Sequence, residues 1–237
     1  MRKFFMLLMP AAFTWAGLAI AADAPGLSIS PVRVDLSAGH KADAITVTNT
    51  GPTRKVLETE VLRWTQVNGE DVYEPATDLR ANPPRLSVEP GATQIVRVGL
   101  IRTAVLPEVT EGAYRIYFQE VPQVEEAAGS QLKFALRIGI PVFVRPAQAA
   151  KPELAWTHRR ENGALKLIAA NRGQLHARVA DVRARTLAGE VVAEGFRYVL
   201  PGASREWSIP QFSDQPLSVS ALGELGRVEY RLEASAH

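Results

Sequence analysis

The residue types that carry covalent chemistry are few and dispersed in this chain. Its four histidines, His40, His158, His176 and His237, fall in no HxH or HExxH spacing, so no pair is set on one face to hold zinc. There is no cysteine, which excludes thiolate metal sites and disulfide-rich secreted scaffolds. No GxSxG elbow and no phosphate-cradling glycine loop occurs. His176 follows a turn and reads as a residue packed at a strand start. The inventory assigns no catalytic residue, no metal and no cofactor, and the chain reads as a non-enzyme. Regular spacing appears instead at Leu132, Phe134, Leu136 and Ile138, where every even position is large and apolar, and the pattern runs on to Val144. The chemistry this spacing offers is backbone hydrogen bonding by a long strand with one continuous apolar row. Pro141 cannot donate to a ladder, so the strand lies at an edge or bends there. An apolar edge is open to pairing with a strand of another chain. On periodicity alone the same row also fits burial in the chain's own core.

The segments around this row bound the class of protein. Arg2 and Lys3 precede a mostly apolar run from Phe4 to Ile20, and Ala19-Ile20-Ala21 offers a small-x-small cleavage site. Residues 1–21 therefore read as a secretory signal peptide, with the mature chain exported and not inserted in the membrane after cleavage. Removing Arg2 and Lys3 from 27 basic residues leaves 25, equal to the 25 acidic ones. A neutral mature chain gives no electrostatic footprint for nucleic acid.

After residue 21 helical periodicity is nearly absent, and short β-rich runs alternate with turn signals. Expected strands are Ile29 to Leu36, Ala44 to Val47, Val56 to Val67, Arg85 to Val88, Thr93 to Leu100, Tyr114 to Val121 and the Leu132 to Val144 run. Asn49-Thr50-Gly51-Pro52, Asn68-Gly69 and Glu89-Pro90-Gly91 are turns, the second of hairpin type. Ala147 to Pro152 reads as a linker. Beyond it, Leu154 to Trp156, Leu165 to Ala169, Ala177 to Thr186, Glu190 to Leu200, Arg205 to Ile209 and Arg227 to Ala234 repeat the β pattern, with Asn171-Arg172-Gly173 and Pro201-Gly202 as turns. The expected fold is all-β, with a sandwich domain over 22–146 and a smaller one over 147–237. Trp64, Trp156, Trp207, Tyr114 and Tyr198 read as core or interface aromatics.

The first domain resembles the periplasmic chaperones of the chaperone–usher pilus pathway. The pieces that carry the resemblance are Ile29-Ser30-Pro31-Val32-Arg33-Val34, Val47-Thr48-Asn49, Asn82-Pro83-Pro84, Glu89 to Val98, Glu111-Gly112-Ala113-Tyr114-Arg115, Glu120-Val121-Pro122 and Ile140 to Pro146. Their order and spacing fill a domain. The second domain is similar more loosely, through Asn171-Arg172-Gly173 and Gly223-Glu224-Leu225-Gly226. Arg63-Trp64-Thr65-Gln66, Tyr73, Asp78-Leu79 and the Ile140 to Val144 run look most like the archaic branch, which serves Csu-type and spore-coat-like pili.

The resemblance implies two immunoglobulin-like sandwiches set at an angle with a cleft between them. It implies a periplasmic protein whose partners are pilin subunits and an outer-membrane usher. Leu132, Phe134, Leu136 and Ile138 become the strand donated to a pilin that lacks its last strand, and self-association through the same edge is expected of the free protein. Arg33 matches the arginine that takes the pilin's C-terminal carboxylate. The family's usual lysine partner is replaced here by Pro141. Arg115 is the first choice to supply the missing cation, and Arg137, which lies opposite the donor row, the second. Glu111 and Arg145 match residues that tie the domains together, with Glu224 as a third member. Two rival readings remain from the residues themselves: a two-domain binding protein that offers its edge to a non-pilin partner, and a periplasmic hydrolase built on a sandwich.

Overall fold

The structure is a computed structural model that describes residues 26–102, 104–122, 135–187, 189–193, 195–210, 216, 218–224 and 226–231. The targeting segment, Leu132 and Phe134 lie outside the described residues. Among the described residues, ten strands form before residue 145: β1 (Leu27–Ser30), β2 (Val34–Leu36), β3 (Ala42–Asn49), β4 (Lys55–Val67), β5 (Glu70–Pro75), β6 (Leu79–Asn82), β7 (Arg85–Val88), β8 (Thr93–Leu100), β9 (Gly112–Glu120) and β10 (Arg137–Val144). They make one sheet in the order β1-β3-β8-β6 and a second in the order β2-β10-β9-β4-β5, with β7 also paired to β4. Each strand places alternate residues inward. Val34, Leu36, Ile45, Val47, Leu57, Val96, Val98, Ile116, Phe118 and Val142 meet between the sheets as one core.

The remaining strands are β11 (Leu154–Glu161), β12 (Ala164–Asn171), β13 (Ala177–Arg185), β14 (Glu190–Ala193), β15 (Arg197–Val199), β16 (Ser204–Ile209), β17 (Ser218–Gly223) and β18 (Gly226–Arg231). They form a β11-β12-β16 sheet and a β14-β13-β17-β18 sheet, with β15 also on β13. Trp156 and Trp207 are fully buried between them, with ring centroids 5.3 Å apart. The protein is all-β, a pair of immunoglobulin-like sandwiches.

Local chemistry explains where strands break. The expected strand from Ile29 to Leu36 is two strands: β1 pairs with β3 in one sheet, and β2 runs parallel to β10 in the other. Pro31 between them has no N–H for either ladder, so the chain changes sheets there. Asn68 and Gly69 both take positive φ, 52° and 81°, the geometry of a two-residue hairpin turn between β4 and β5. The run from Glu190 to Leu200 also splits, into β14 and β15, at Gly195 with φ 116°. In β13 the alternation Val179, Val182 slips because Asp181 has φ 47° and the register to β17 shifts between Ala180 and Arg183. A bulge adds one residue and swaps the faces.

Both sandwiches use the same asparagine device. Asn49 is fully buried; its Nδ2 donates to Thr53 O at 2.7 Å and Val88 O at 2.9 Å, and its Oδ1 accepts from Gly51 N at 3.0 Å. Asn171 repeats it, donating to Leu175 O at 2.8 Å and Val199 O at 2.9 Å and accepting from Gly173 N at 3.0 Å. A Cβ on Gly173 would stand 2.4 Å from Lys151 O, so the third position of this Asn-x-Gly turn has no room for a side chain. Asn171→Ala is expected to destabilise the protein by about 2–4 kcal/mol, since it strands buried polar groups. Denaturant unfolding that shows no loss of stability would contradict the role given to this side chain.

An aromatic cluster joins the two sandwiches. Trp64, Ala113 and Phe143 from the first pack with Leu200 from the second, and Tyr73 and Tyr198 border them. The Gln66 side chain pairs with backbone across the joint, donating to Tyr198 O at 3.0 Å and accepting from Leu200 N at 3.0 Å. Arg205, buried, reaches Gly69 O and Asp71 of the first sandwich.

Candidate functional site

β10 is inner along part of its length and edge along the rest. It pairs with β9 over all of Arg137–Val144, but with β2 only from Val142 to Val144. On the side away from β9, Arg137 to Pro141 therefore has no strand neighbour among the described residues. Pro141 sits where β2 pairing is about to begin, a place that needs no donor from it.

The two faces of β10 have different surroundings. Ile140, Val142 and Val144 belong to the first core, and Ile138 is half-buried against it. The even row is thus the sandwich's own core at its C-terminal end. Leu136, just before the strand, is half-buried; its O accepts from Glu120 N at 2.8 Å, and Ala135 is exposed. Among the described residues strand geometry begins at Arg137. On the odd face, Gly139 lies against the Tyr117 ring, Pro141 lines a cleft, and Phe143 stacks on His176 with centroids 3.6 Å apart.

That cleft, about 540 Å³, opens where the sandwiches meet, beside the free edge of β10. Arg33, from the turn before β2, and Arg115, from β9, both line it. Arg33 Nε donates to Asp35 Oδ2 at 2.9 Å, and its Nη1 pairs with Glu224 of the second sandwich. Burial lowers the Arg33 pKa, but Asp35 and Glu224 outweigh it and the net shift is upward, so this guanidinium stays charged. Arg115 is held differently. Its guanidinium lies 4.4 Å over the Trp64 ring, its Nε is buried with no hydrogen-bond partner, and no ion pair to it is found among the described residues. Arg115 thus adds to the cleft lining a positive charge that no carboxylate among the described residues is seen to pair with.

The other anticipated charges are placed as follows. Arg137 is half-exposed, pairs with Glu60 at 3.0 Å and covers Tyr117 at 4.1 Å; it does not line the cleft. Glu111 is buried and accepts from His176 N at 2.8 Å, with its Oε2 2.7 Å from His176 Nδ1. His176 Nε2 lies 3.6 Å from Glu224. A chain Glu111–His176–Glu224–Arg33 therefore crosses the joint, and Glu224 and Glu111 meet through His176. Arg145 is not brought into it: its side chain is exposed, and no ion pair to it is found among the described residues. The place expected for an arginine between two glutamates is taken by an imidazole, held by its stack on Phe143.

Three contributors were not read from the sequence. Arg178, Phe196 and Tyr198 form the second sandwich's wall of the cleft. Tyr198 was read only as a core or interface aromatic. Arg178 and Phe196 carry no local signal, because alternation along β13 does not say which sheet face meets the first sandwich. Among the described residues no group of three His, Cys, Asp or Glu could hold a metal, and no helix is long and apolar enough to cross a membrane.

Two sandwiches meeting at a basic cleft, with a strand edge left open beside it, define a strand-pairing class of binding protein. The model of the pili and flagellar-assembly chaperone, PapD N-terminal domain, matches residues 26–150, more than half of the 237. The chain belongs to this family of pilus-assembly chaperones. No curated protein matches it. Among solved structures, it is similar to the CsuC–CsuE chaperone–tip adhesion subunit complex of archaic Csu pili from Acinetobacter baumannii, at 23% identity and TM-score 0.70, covering 89% of this chain and 99% of that one. The Salmonella enterica SafB chaperone in complex with SafA pilin gives 18% identity and TM-score 0.65 over 90% and 99% of the two chains. The Escherichia coli chaperone DraB gives 18% and 0.62 over 87% and 96%. At these identities the likeness is one of fold.

Proposed function

We propose that this protein is a periplasmic chaperone of the archaic branch that captures pilin subunits by strand donation and delivers them to an outer-membrane usher. The observation that carries the reading is the open edge of β10 ending at the arginine-lined cleft. An incomplete subunit would pair its backbone with Arg137 to Pro141 and with the segment before it. Leu136, and by the sequence pattern Leu132 and Phe134, would fill its open groove. The subunit's terminal carboxylate would reach Arg115 and Arg33. Burying each such side chain contributes about 1.5–3 kcal/mol, and the work is binding alone, with no catalytic step and no cofactor. The buried Glu111 and His176, with the partly exposed Glu224, would fix the angle at which the second sandwich closes the cleft.

The test is periplasmic co-expression of the full chain, tagged, with pilin subunits encoded beside an usher gene. A soluble one-to-one complex, with the subunit degraded when the chaperone is omitted, is the expected result. A subunit equally stable with or without the chaperone would overturn the reading and favour a non-pilin partner for the same edge.

A further inference from the structure

The second sandwich's side of the cleft carries chemistry that backbone pairing and the Arg33–Arg115 pair do not use. Phe196 is 49% exposed and Val32, on the first sandwich, 74% exposed, and both line the same concavity. Single exposed apolar side chains are ordinary; two converging in one cleft beside Pro141 and Tyr198 form an apolar seat. Phe196 is held edge-on to Tyr198 with ring centroids 4.9 Å apart, and the Arg178 guanidinium lies 5.1 Å from the centroid of the Phe196 ring. Arg178 is exposed, and no ion pair to it is found among the described residues.

The charge around this seat is unbalanced. The acids that reach it, Asp35 and Glu224, both serve Arg33, which leaves Arg115 and Arg178 without a carboxylate. Burial pushes the Tyr198 phenol up and Glu224 adds to it, while Arg33, Arg178 and Arg115 pull the other way without reversing the upward shift. The complement of such a site is one carboxylate bonded close to one apolar side chain, which is the end of a polypeptide with an apolar last residue.

We infer that the second sandwich reads the terminal residue of the bound chain, with Phe196 and Val32 seating its apolar side chain and Arg178 adding a third guanidinium for its carboxylate. This deepens the proposed function and rests on the carboxylate anchoring stated there. The seat discriminates among subunits: a chain ending in a polar residue would desolvate that residue against Phe196 with no partner for it.

Fluorescence anisotropy with synthetic decapeptides tests this on the full chain. Three peptides are identical except at the end: one finishes in leucine as a free acid, one in leucine as an amide, one in serine as a free acid. The wild-type protein is expected to bind the leucine acid about tenfold more tightly than the serine acid. In Phe196→Ser that ratio should fall to about twofold or less, while in Arg178→Gln the leucine preference stays and the acid-over-amide ratio drops about threefold or more. Both side chains are exposed, and circular dichroism checks that the variants fold. If wild type prefers acid to amide yet treats leucine and serine alike, or Phe196→Ser keeps the preference, the seat is refuted and the anchor stands. If acid and amide bind equally, the carboxylate anchor itself fails. Binding of none of the peptides at millimolar concentration also rejects the seat, while co-purification with pilin still decides the chaperone reading.

Discussion

Arg115→Ala is expected to weaken pilin capture by roughly 30-fold or more, corresponding to about 2 kcal/mol or above for removing one partner of a desolvated charge pair. The protein itself should remain folded. Arg115 makes no ion pair among the described residues, so its removal breaks no such bridge there and forfeits its stack on Trp64. Arg33→Ala is a less clean test. It removes a cleft cation but also cuts the link to Glu224 and loosens the joint between sandwiches. Glu224→Gln separates the two effects. A subunit carboxylate entering the cleft competes with Glu224 for Arg33, so the neutral variant should hold pilin at least as well as wild type, provided the stack of His176 on Phe143 keeps the joint in place. Retention of pilin on tagged chaperone, measured against wild type at rising salt, reads out all three variants. A folded Arg115→Ala protein that retains pilin in full would move the anchor to Arg33 and Arg178.

Sandwich architecture was legible because each device that builds it is local. Alternation in β3, β8 and β12, the Asn68-Gly69 turn and the two Asn-x-Gly turns are set within a few residues. Misread boundaries occur where a local pattern meets a long-range demand. Ile29 to Leu36 looks like one strand, but Pro31 lets it serve two sheets. The even row from Ile138 looks like one apolar face, and Ile140, Val142 and Val144 belong to the protein's own core, with β9 beside all three and β2 beside the last two. The site was legible mainly on the first sandwich, with Glu224 the one residue of the second that the sequence offered and that meets Arg33 and His176. Arg33 and Arg115 stand in recognisable stretches and do line the cleft. Arg178 and Phe196 reach it, and His176 reaches Glu224, through the packing of one sandwich on the other at Phe143, Trp64 and Leu200. Arg145 shows the converse: it stands in a matching stretch, but its side chain is exposed and no ion pair from it to Glu111 or Glu224 is found among the described residues.

Leu136→Asp should abolish pilin capture. Leu136 is the described member of the apolar row that is not yet committed to the first sandwich's core: it is half-buried, it precedes the strand, and its backbone is fixed by the bond from Glu120 N. Ile138 cannot serve, because it packs against that core and a charge there would threaten the fold. A carboxylate delivered into a subunit's apolar groove has no partner, and the cost of about 3 kcal/mol or more would reduce capture over a hundredfold. Ala135→Asp places the same charge one residue away on an exposed backbone position. Because strand side chains alternate faces, it should leave capture near wild type. Glu120 complicates the first variant: its Oε2 lies 3.4 Å from Leu136 N, and it pairs with Lys55 at 2.6 Å, so a new neighbouring anion repels it. Leu136→Asn removes that repulsion while keeping the polar intrusion, and it should still lose most of the capture. Circular dichroism and pilin co-purification are measured on all three. If Leu136→Asp and Leu136→Asn fold and hold pilin as wild type does, the row does not enter the subunit, and the open edge of β10 must pair through its backbone alone.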